Sequence, residues 1–485
     1  MSSPNISFDT IGSNRKPGQY IEFNTRLAVR TLPGNTQKVL MLAPMLDTGT
    51  ADPLTILDIF YDDQAATYFG RGSAAHQMAT DAIGANAYLQ VQMIGIPDAD
   101  TATAATGKVA ITGPATSNGT LSVSVGGTRI DVGISNGDTA DEIANTLIST
   151  LAQKTALPVT AALSTEVVEG EDEPQPVSGV VVLTARHAGT YGNDIVIKAA
   201  STATGTTATV TEMSGGNVDP DIAPALAAAF AAGHNIVVSP FSTADALTAL
   251  RDHLDNVSNA MEQRGAIGVG GWPKSLSTGT TLAASLNEGR ITLGWHNGSA
   301  KTPAQIAAAY AAVIASEEDP ARPLNTLAMS TLDVTPLEDR PGRTEQENAL
   351  RNGLTPFEIG PGDKVQIVRA ISTYTKNAQG VDDVSLLDLT TIRTLDYVRK
   401  ACRERIALRF PRDKLSSRTP PKVQSELLDV LIKLEELEII EEVEANKSGL
   451  IVERDSQDSN QLNARIPADV VNGLHVFAGV IDLLL

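Results

Sequence analysis

Residues 38–43 read Lys-Val-Leu-Met-Leu-Ala, the short unbroken apolar run of a strand buried on both faces. Helical patterns are expected over 55–68 and 73–86, and residues 88–95 predict another strand. The same alternation returns after residue 220. Helices are expected over 225–232, 244–264 and 303–315, the last with Thr302 as N-cap and Pro303 in its first turn. Strands are expected over 235–239, 266–270 and 290–295. Strand and helix in alternation predict an α/β layer.

Between residues 105 and 216 the pattern changes to short alternating strands rich in Thr, Val, Gly and Ser. Residues 121–125 and 128–132 flank Gly126-Gly127 and predict a hairpin. Further strands are expected over 180–184 and 194–198, and a helix over 140–153. Because the α/β pattern resumes afterwards, this block reads as an inserted β-rich domain on the surface. Its stretch 169–174 is an acidic loop.

The C-terminal part predicts a strand over 365–371 and an amphipathic helix over 391–410, with Leu395, Val398, Cys402, Ile406 and Phe410 on one stripe. A second helix is expected over 421–438. A hairpin over 449–454 and 461–466 follows, around the polar loop 455–460, and then a final apolar strand over 474–485. At the other end, Ile6 and Phe8 alternate with Ser7 and Asp9 in an extended arm. The expected domains are therefore an arm (1–25), an α/β domain (26–104 with 217–350), the insertion (105–216), a C-terminal α+β domain (351–470) and a second arm (471–485).

The chain has 485 residues, 37 Lys plus Arg against 57 Asp plus Glu, and a net charge of −20. This acidity argues against a nucleic-acid partner, which needs a basic surface. A hydrophobic content of 42% is enough for packed cores despite 39 Gly and 25 Pro. The single cysteine, Cys402, excludes an intrachain disulfide and fits a reducing compartment. No apolar run is long enough to span a bilayer, and the first 19 residues carry no signal-peptide pattern.

Local motifs point to no enzyme. The six histidines are scattered, without metal-ligand spacing. His187 and His234 sit beside expected strands, in structural positions. Gly268-Val-Gly-Gly-Trp-Pro-Lys274-Ser275 departs from a phosphate loop because Pro273 removes a backbone N–H that the loop needs. No Gly-x-Ser-x-Gly elbow occurs. Cys402 lies on an apolar stripe with no neighbouring histidine. Catalytic, metal and cofactor sites are therefore all expected to be absent.

Charge reverses sharply near the C-terminus. Residues 393–422 hold ten basic and three acidic side chains, whereas 426–444 hold eight acidic ones and one lysine. The two segments can pair with each other. They can also contact identical subunits or a second protein, which makes Arg399, Arg403, Arg409 and Arg412 candidate docking residues.

Several stretches, in order, resemble the contractile tail sheath proteins of Mu-type bacteriophages. They are Ile6-Ser7-Phe8-Asp9 with Tyr20-Ile21-Glu22-Phe23, Thr184-Ala-Arg-His187-Ala-Gly-Thr-Tyr-Gly192-Asn193-Asp194-Ile195, Asp319-Pro-Ala-Arg-Pro-Leu324, Ala370-Ile-Ser-Thr-Tyr374, Phe410-Pro-Arg412-Asp-Lys414-Leu415 and Leu450-Ile-Val-Glu-Arg454. The resemblance runs over essentially the whole chain. It implies a structural subunit that stacks as hexameric rings around a tail tube and contracts to drive the tube through the host envelope. It also implies a subtilisin-like middle domain in fold only, baseplate and tail terminator proteins as further partners, and a place in the virion tail after assembly in the host cytoplasm. A tailocin sheath, an α/β hydrolase and a virion adhesion protein are the alternatives.

Within that resemblance the apolar ends gain a purpose. Ile6 and Phe8 on one arm, and Leu474, Val476 and Val480 on the other, have no evident partner in their own chain. The hairpin carrying Leu450, Val452, Leu462 and Ile466 has two open edges. A mixed sheet built from the arms of neighbouring subunits on this hairpin is expected.

Overall fold

The first strand, β1 (Lys38–Met45), is buried along all but its first residue. It is followed by β2 (Ile56–Ile59), α1 (Asp62–Phe69), α2 (Ala74–Ala85) and β3 (Gln90–Pro97). The computed structural model describes residues 16, 18, 19, 32–166 and 175–484. The N-terminal arm with Ile6 and Phe8, and the acidic loop 169–174, lie outside them. The helix expected over 55–68 divides in two. Its first part is strand β2, antiparallel to β3 with Ile56 opposite Ile94 and Ile59 opposite Val91. No Gly or Pro marks the break in the sequence; pairing with β3 makes the first part a strand, and the chain bends at Phe60 and Tyr61 before α1.

The insertion leaves and rejoins the α/β body at one place, where Thr103 is bridged to Asn217. It holds β4 (Ala104–Ile111), β5 (Gly119–Val125), β6 (Thr128–Ile134), α3 (Ala140–Gln153), β7 (Val159–Glu166), β8 (Gln175–Ala188), β9 (Ile197–Ser201) and β10 (Ala208–Ser214). A four-stranded sheet in the order β10-β4-β8-β7 and a three-stranded one in the order β6-β5-β9 enclose a core that includes Val109, Leu121, Leu147 and Leu183. The β5–β6 turn is Gly126-Gly127, both at positive φ, as a two-residue turn requires. The strand expected over 194–198 begins later, because 190–194 form a 3-10 turn.

The body resumes with α4 (Ala223–Ala229), β11 (Ile236–Val238), α5 (Ala244–Ser258), β12 (Ile267–Trp272), α6 (Leu276–Leu286), β13 (Ile291–Trp295), α7 (Pro303–Ser316), α8 (Arg343–Arg351), β14 (Thr355–Gly360) and β15 (Lys364–Ile367). The sheet order is β15-β14-β13-β12-β11-β1-β3-β2, with six parallel central strands and an antiparallel strand at each edge. Helix α7 is buried from Pro303 to Ile314, and its alanines allow close packing on α2 and β12. A Cβ at Gly271 would collide with the Pro303 carbonyl. The glycines that resemble a phosphate loop are therefore strand residues beneath a helix.

Both β14 and β15 belong to this sheet, and the same core extends to Leu389 and Ile392. The body thus continues past residue 350, where the sequence suggested a boundary. The stretch before α8 packs against the body through Leu324, Met329 and Leu332.

The C-terminal part holds α9 (Leu389–Arg409), α10 (Thr419–Glu436), β16 (Ile440–Glu441), α11 (Val443–Asn446), β17 (Ile451–Arg454), β18 (Leu462–Arg465) and β19 (Asp469–Val470). Its own core joins Val398 and Cys402 of α9 to Leu427, Val430, Leu431 and Leu434 of α10. Beyond β19 no strand forms over 471–484, where the sequence pattern predicts one from residue 474.

Candidate assembly surfaces

The C-terminal segment is apolar and open. Leu474, Val476, Phe477, Val480 and Ile481 are 78–99% exposed. His475 is the exception. Its ring turns back to the body, with Nδ1 2.9 Å from Nδ2 of Asn325. Before it, β19 pairs Val470 with Ile440.

The hairpin β17–β18 pairs Ile451 with Arg465 and Arg454 with Leu462. It forms a sheet of two strands, so each strand keeps one open edge among the described residues. Leu450 is buried, and Val452, Leu462 and Ile466 pack partly against the C-terminal core. Leu462 and Ile466, with Leu395, Cys402 and Phe410 of the α9 side and Val423 of α10, line an open apolar groove of about 770 Å³. The subunit thus carries both an apolar groove and an uncovered apolar tail.

The candidate docking arginines are used largely within the chain. Arg399 donates to the Ser258 carbonyl at 2.8 Å and pairs with Asp396 at 2.7 Å. Arg403 reaches the Gln263 side chain at 3.1 Å. Arg409 lies 3.4 Å from Glu426. Arg412 is exposed in the turn after α9. Sequence reasoning missed Arg405, which is buried and donates to Asp429 at 2.6 Å and Glu426 at 3.2 Å. Burial opposes its charge, but the two carboxylates outweigh burial and raise its pKa. The charge reversal was the signal for this pairing, and its partners stand at the start of the acidic segment.

A His–Asp pair in the body invites comparison with a catalytic site. His187 Nδ1 lies 2.8 Å from Asp98, but its Nε2 accepts the Ala74 N–H at 3.0 Å, and Asp98 also accepts from Ala188. Both ring nitrogens are committed to holding the insertion on the body, Nε2 at the start of α2 and Nδ1 at Asp98 just after β3. Cys402 is buried, and burial pushes its thiol up to about 11, away from a reactive thiolate. Among the described residues no three His, Cys, Asp or Glu side chains converge as metal ligands, and no helix is long and apolar enough to cross a membrane.

Residues 215–373 match the phage tail sheath protein central domain, and residues 381–483 match the phage tail sheath C-terminal domain. Over 99% of its length the chain is 33% identical to the whole of the Mu-like prophage FluMu tail sheath protein of Haemophilus influenzae. The chain belongs to the phage tail sheath protein family. Among solved structures, the sheath tail protein of Desulfitobacterium hafniense superposes with a TM-score of 0.51 at 15% identity, covering 94% of this chain and 97% of that one. That of Listeria innocua reaches 0.49 at 14% identity, covering 92% and 94%.

The resemblance read from the ordered sequence stretches thus holds at the level of the family, and so does the multidomain α/β fold. The family is structural, and its members are components of the virion tail.

Proposed function

We propose that this sheath subunit polymerises as stacked hexameric rings around a tail tube and that contraction of the polymer drives the tube through the host envelope. The observation that carries this reading is the coexistence of an uncovered apolar tail and an open-edged hairpin on one chain. Burying each of Leu474, Val476, Phe477, Val480 and Ile481 would contribute about 1.5–3 kcal/mol, before the cost of ordering the segment. In the polymer, Leu474, Val476 and Val480 of one copy add to the hairpin of another, beside Leu450, Val452, Leu462 and Ile466. The N-terminal arm with Ile6 and Phe8 comes from a third copy. Strand addition keeps neighbours hydrogen-bonded while their bodies swing, as contraction requires.

The division into two arms, a body extended past residue 350, an insertion and a C-terminal part belongs to the same proposal, with the insertion placed outward. Arg412 and Arg403, both exposed, are placed at the tube or a neighbouring subunit, with Arg399 and Arg409 holding α9 in position. Tube, baseplate and tail terminator proteins are the partners, and assembly takes place in the host cytoplasm. No catalytic step, nucleic acid or membrane insertion is assigned to the chain. Electron microscopy of the purified protein tests the polymer. Hollow cylinders are expected, whereas uniformly small particles under assembly-permissive conditions would overturn it.

A further inference from the structure

A second cavity, of about 390 Å³, lies at the N-terminal ends of the parallel strands, where Lys38, Asn235 and Ile267 meet the middle of α9. This is the end of the sheet opposite to that where α/β folds usually bind ligands. Its wall carries Lys38, Arg264, Arg393, Lys400 and Arg403 in a chain whose net charge is −20. Among the described lining residues the one carboxylate is Asp396. It is already shared by Arg290, at 2.7 and 3.1 Å, and Arg399, at 2.7 Å, neither of which lines the cavity.

Arg393 has the unusual position. Its residue is 7% exposed, and Nη2 donates to the Glu317 carbonyl at 2.6 Å. Nη1 has no hydrogen-bond partner among the described residues. The carboxylate of Glu317 is turned to Arg322, and Asp319 accepts from the Ala321 N–H. Burial pulls the Arg393 pKa down to about 10, with Glu317 and Asp319 opposing, and burial followed by the Lys38 charge pushes His234 down to about 4. Burial is the first cause of both shifts, and the Lys38 charge adds to it only at His234. Arg264 is committed to Glu262 and the Phe230 carbonyl, and Lys400 to the Gly34 carbonyl. The Lys38 ammonium pairs with no carboxylate among the described residues.

We infer that this cavity is an oxyanion site, in which Arg393 and Lys38 hold a phosphate or a carboxylate. A guanidinium presents its N–H groups in the planar fork that such oxygens match. The volume admits a phosphate with bound water, or a carboxylate side chain from a neighbouring copy. The unfilled Nη1 is the donor that the ligand would satisfy. The proposal is independent of strand exchange and of the tube.

The test is calorimetric titration of the full-length unassembled chain with inorganic phosphate, at ionic strength held constant with chloride. Saturable binding is expected, weakened at least tenfold by Arg393→Gln and at least threefold by Lys38→Gln. Lys38 is an exposed side chain at the start of β1, so its variant keeps the test decisive if Arg393→Gln fails to fold. Absence of saturable binding, or binding unchanged in Lys38→Gln, overturns the site. Assembly assays in phosphate then separate the sources. Inhibition reversed by subunit excess supports a neighbour's carboxylate, and unchanged assembly with bound phosphate supports a free anion.

Discussion

Nδ1 of His475 lies 2.9 Å from Nδ2 of Asn325, and that contact marks the place where the C-terminal segment leaves the body. The ring is largely buried while the residues on either side of it are exposed. Its Nε2 faces Asp388 at 3.6 Å, and Asp388 is held by Arg369 through two hydrogen bonds. Burial and then Arg369 push the His475 pKa down, against Asp388, so the neutral ring accepts from the Asn325 amide. The base of the tail is therefore fixed, and its apolar length beyond Val476 is presented from a defined point.

His475→Ala should release that base. Hydrogen exchange of backbone amides over 471–475 should rise, while global stability falls by only about 1 kcal/mol, the worth of one hydrogen bond. Gly473→Ala should act in the same direction, since its Cβ would lie 2.7 Å from Pro323 Cγ. Exchange unchanged in both variants would show that the ring anchors nothing.

The ion pairs between α9 and α10 should differ in weight. Arg405→Ala removes a buried guanidinium and leaves Glu426 paired with Arg409 and Asp429 with Lys433. Those carboxylates keep partial access to water, so the expected loss is about 2–3 kcal/mol in urea unfolding, less than for a fully buried pair. Arg412→Ala, in the exposed turn, should change stability by less than about 0.5 kcal/mol. Equal effects would contradict the assignment.

Acid should destabilise the subunit through its histidines. The folded-state pKa of His234 is held down to about 4, chiefly by burial. Between pH 6.5 and 4 the unfolded chain takes up a proton there that the folded chain refuses, so stability is lost as pH falls through this window. His76, His253, His296 and His475 are displaced in the same direction. His234→Gln should therefore flatten part of the fall in the urea midpoint between about pH 7 and 5. A variant with the wild-type slope would contradict the burial of this ring.

The fold is most legible where local chemistry and tertiary packing agree. Helix α3 runs over 140–153 as its sequence pattern predicts, because Thr139 and Glu142 form a reciprocal capping box at its start. The Gly126-Gly127 turn announces its hairpin for a similar reason. Helix α6 escapes the pattern, since Leu-Ser-Thr-Gly-Thr-Thr carries a weak helical signal and its burial comes from Gly279, Ala283 and Leu286 against the body. Strand β14 escapes it because the parallel partner that defines it, β13, lies about sixty residues earlier. The candidate surfaces divide similarly. An apolar tail after a hairpin can be read directly. The cationic cavity cannot, because Lys38, His234, Ile267 and Arg393 meet only through the parallel sheet and α9.

The tether of the insertion is polar and local. Asp98, His187 and the Tyr191–Gln77 hydrogen bond join it to the body, and Thr103 stands beside Asn217. Replacing residues 104–216 by a short Gly-Ser linker should therefore leave a folded body that still polymerises. A soluble, folded deletion unable to assemble would count against the outward placement of the insertion.

The central claim is that the apolar tail joins subunits. Electron microscopy of the full-length chain beside a chain ending at Gly473 tests it most directly, with circular dichroism as the check on folding. The full-length protein should form hollow cylinders and the shortened one should remain folded and monodisperse. Cylinders of normal length from the shortened chain would contradict the account.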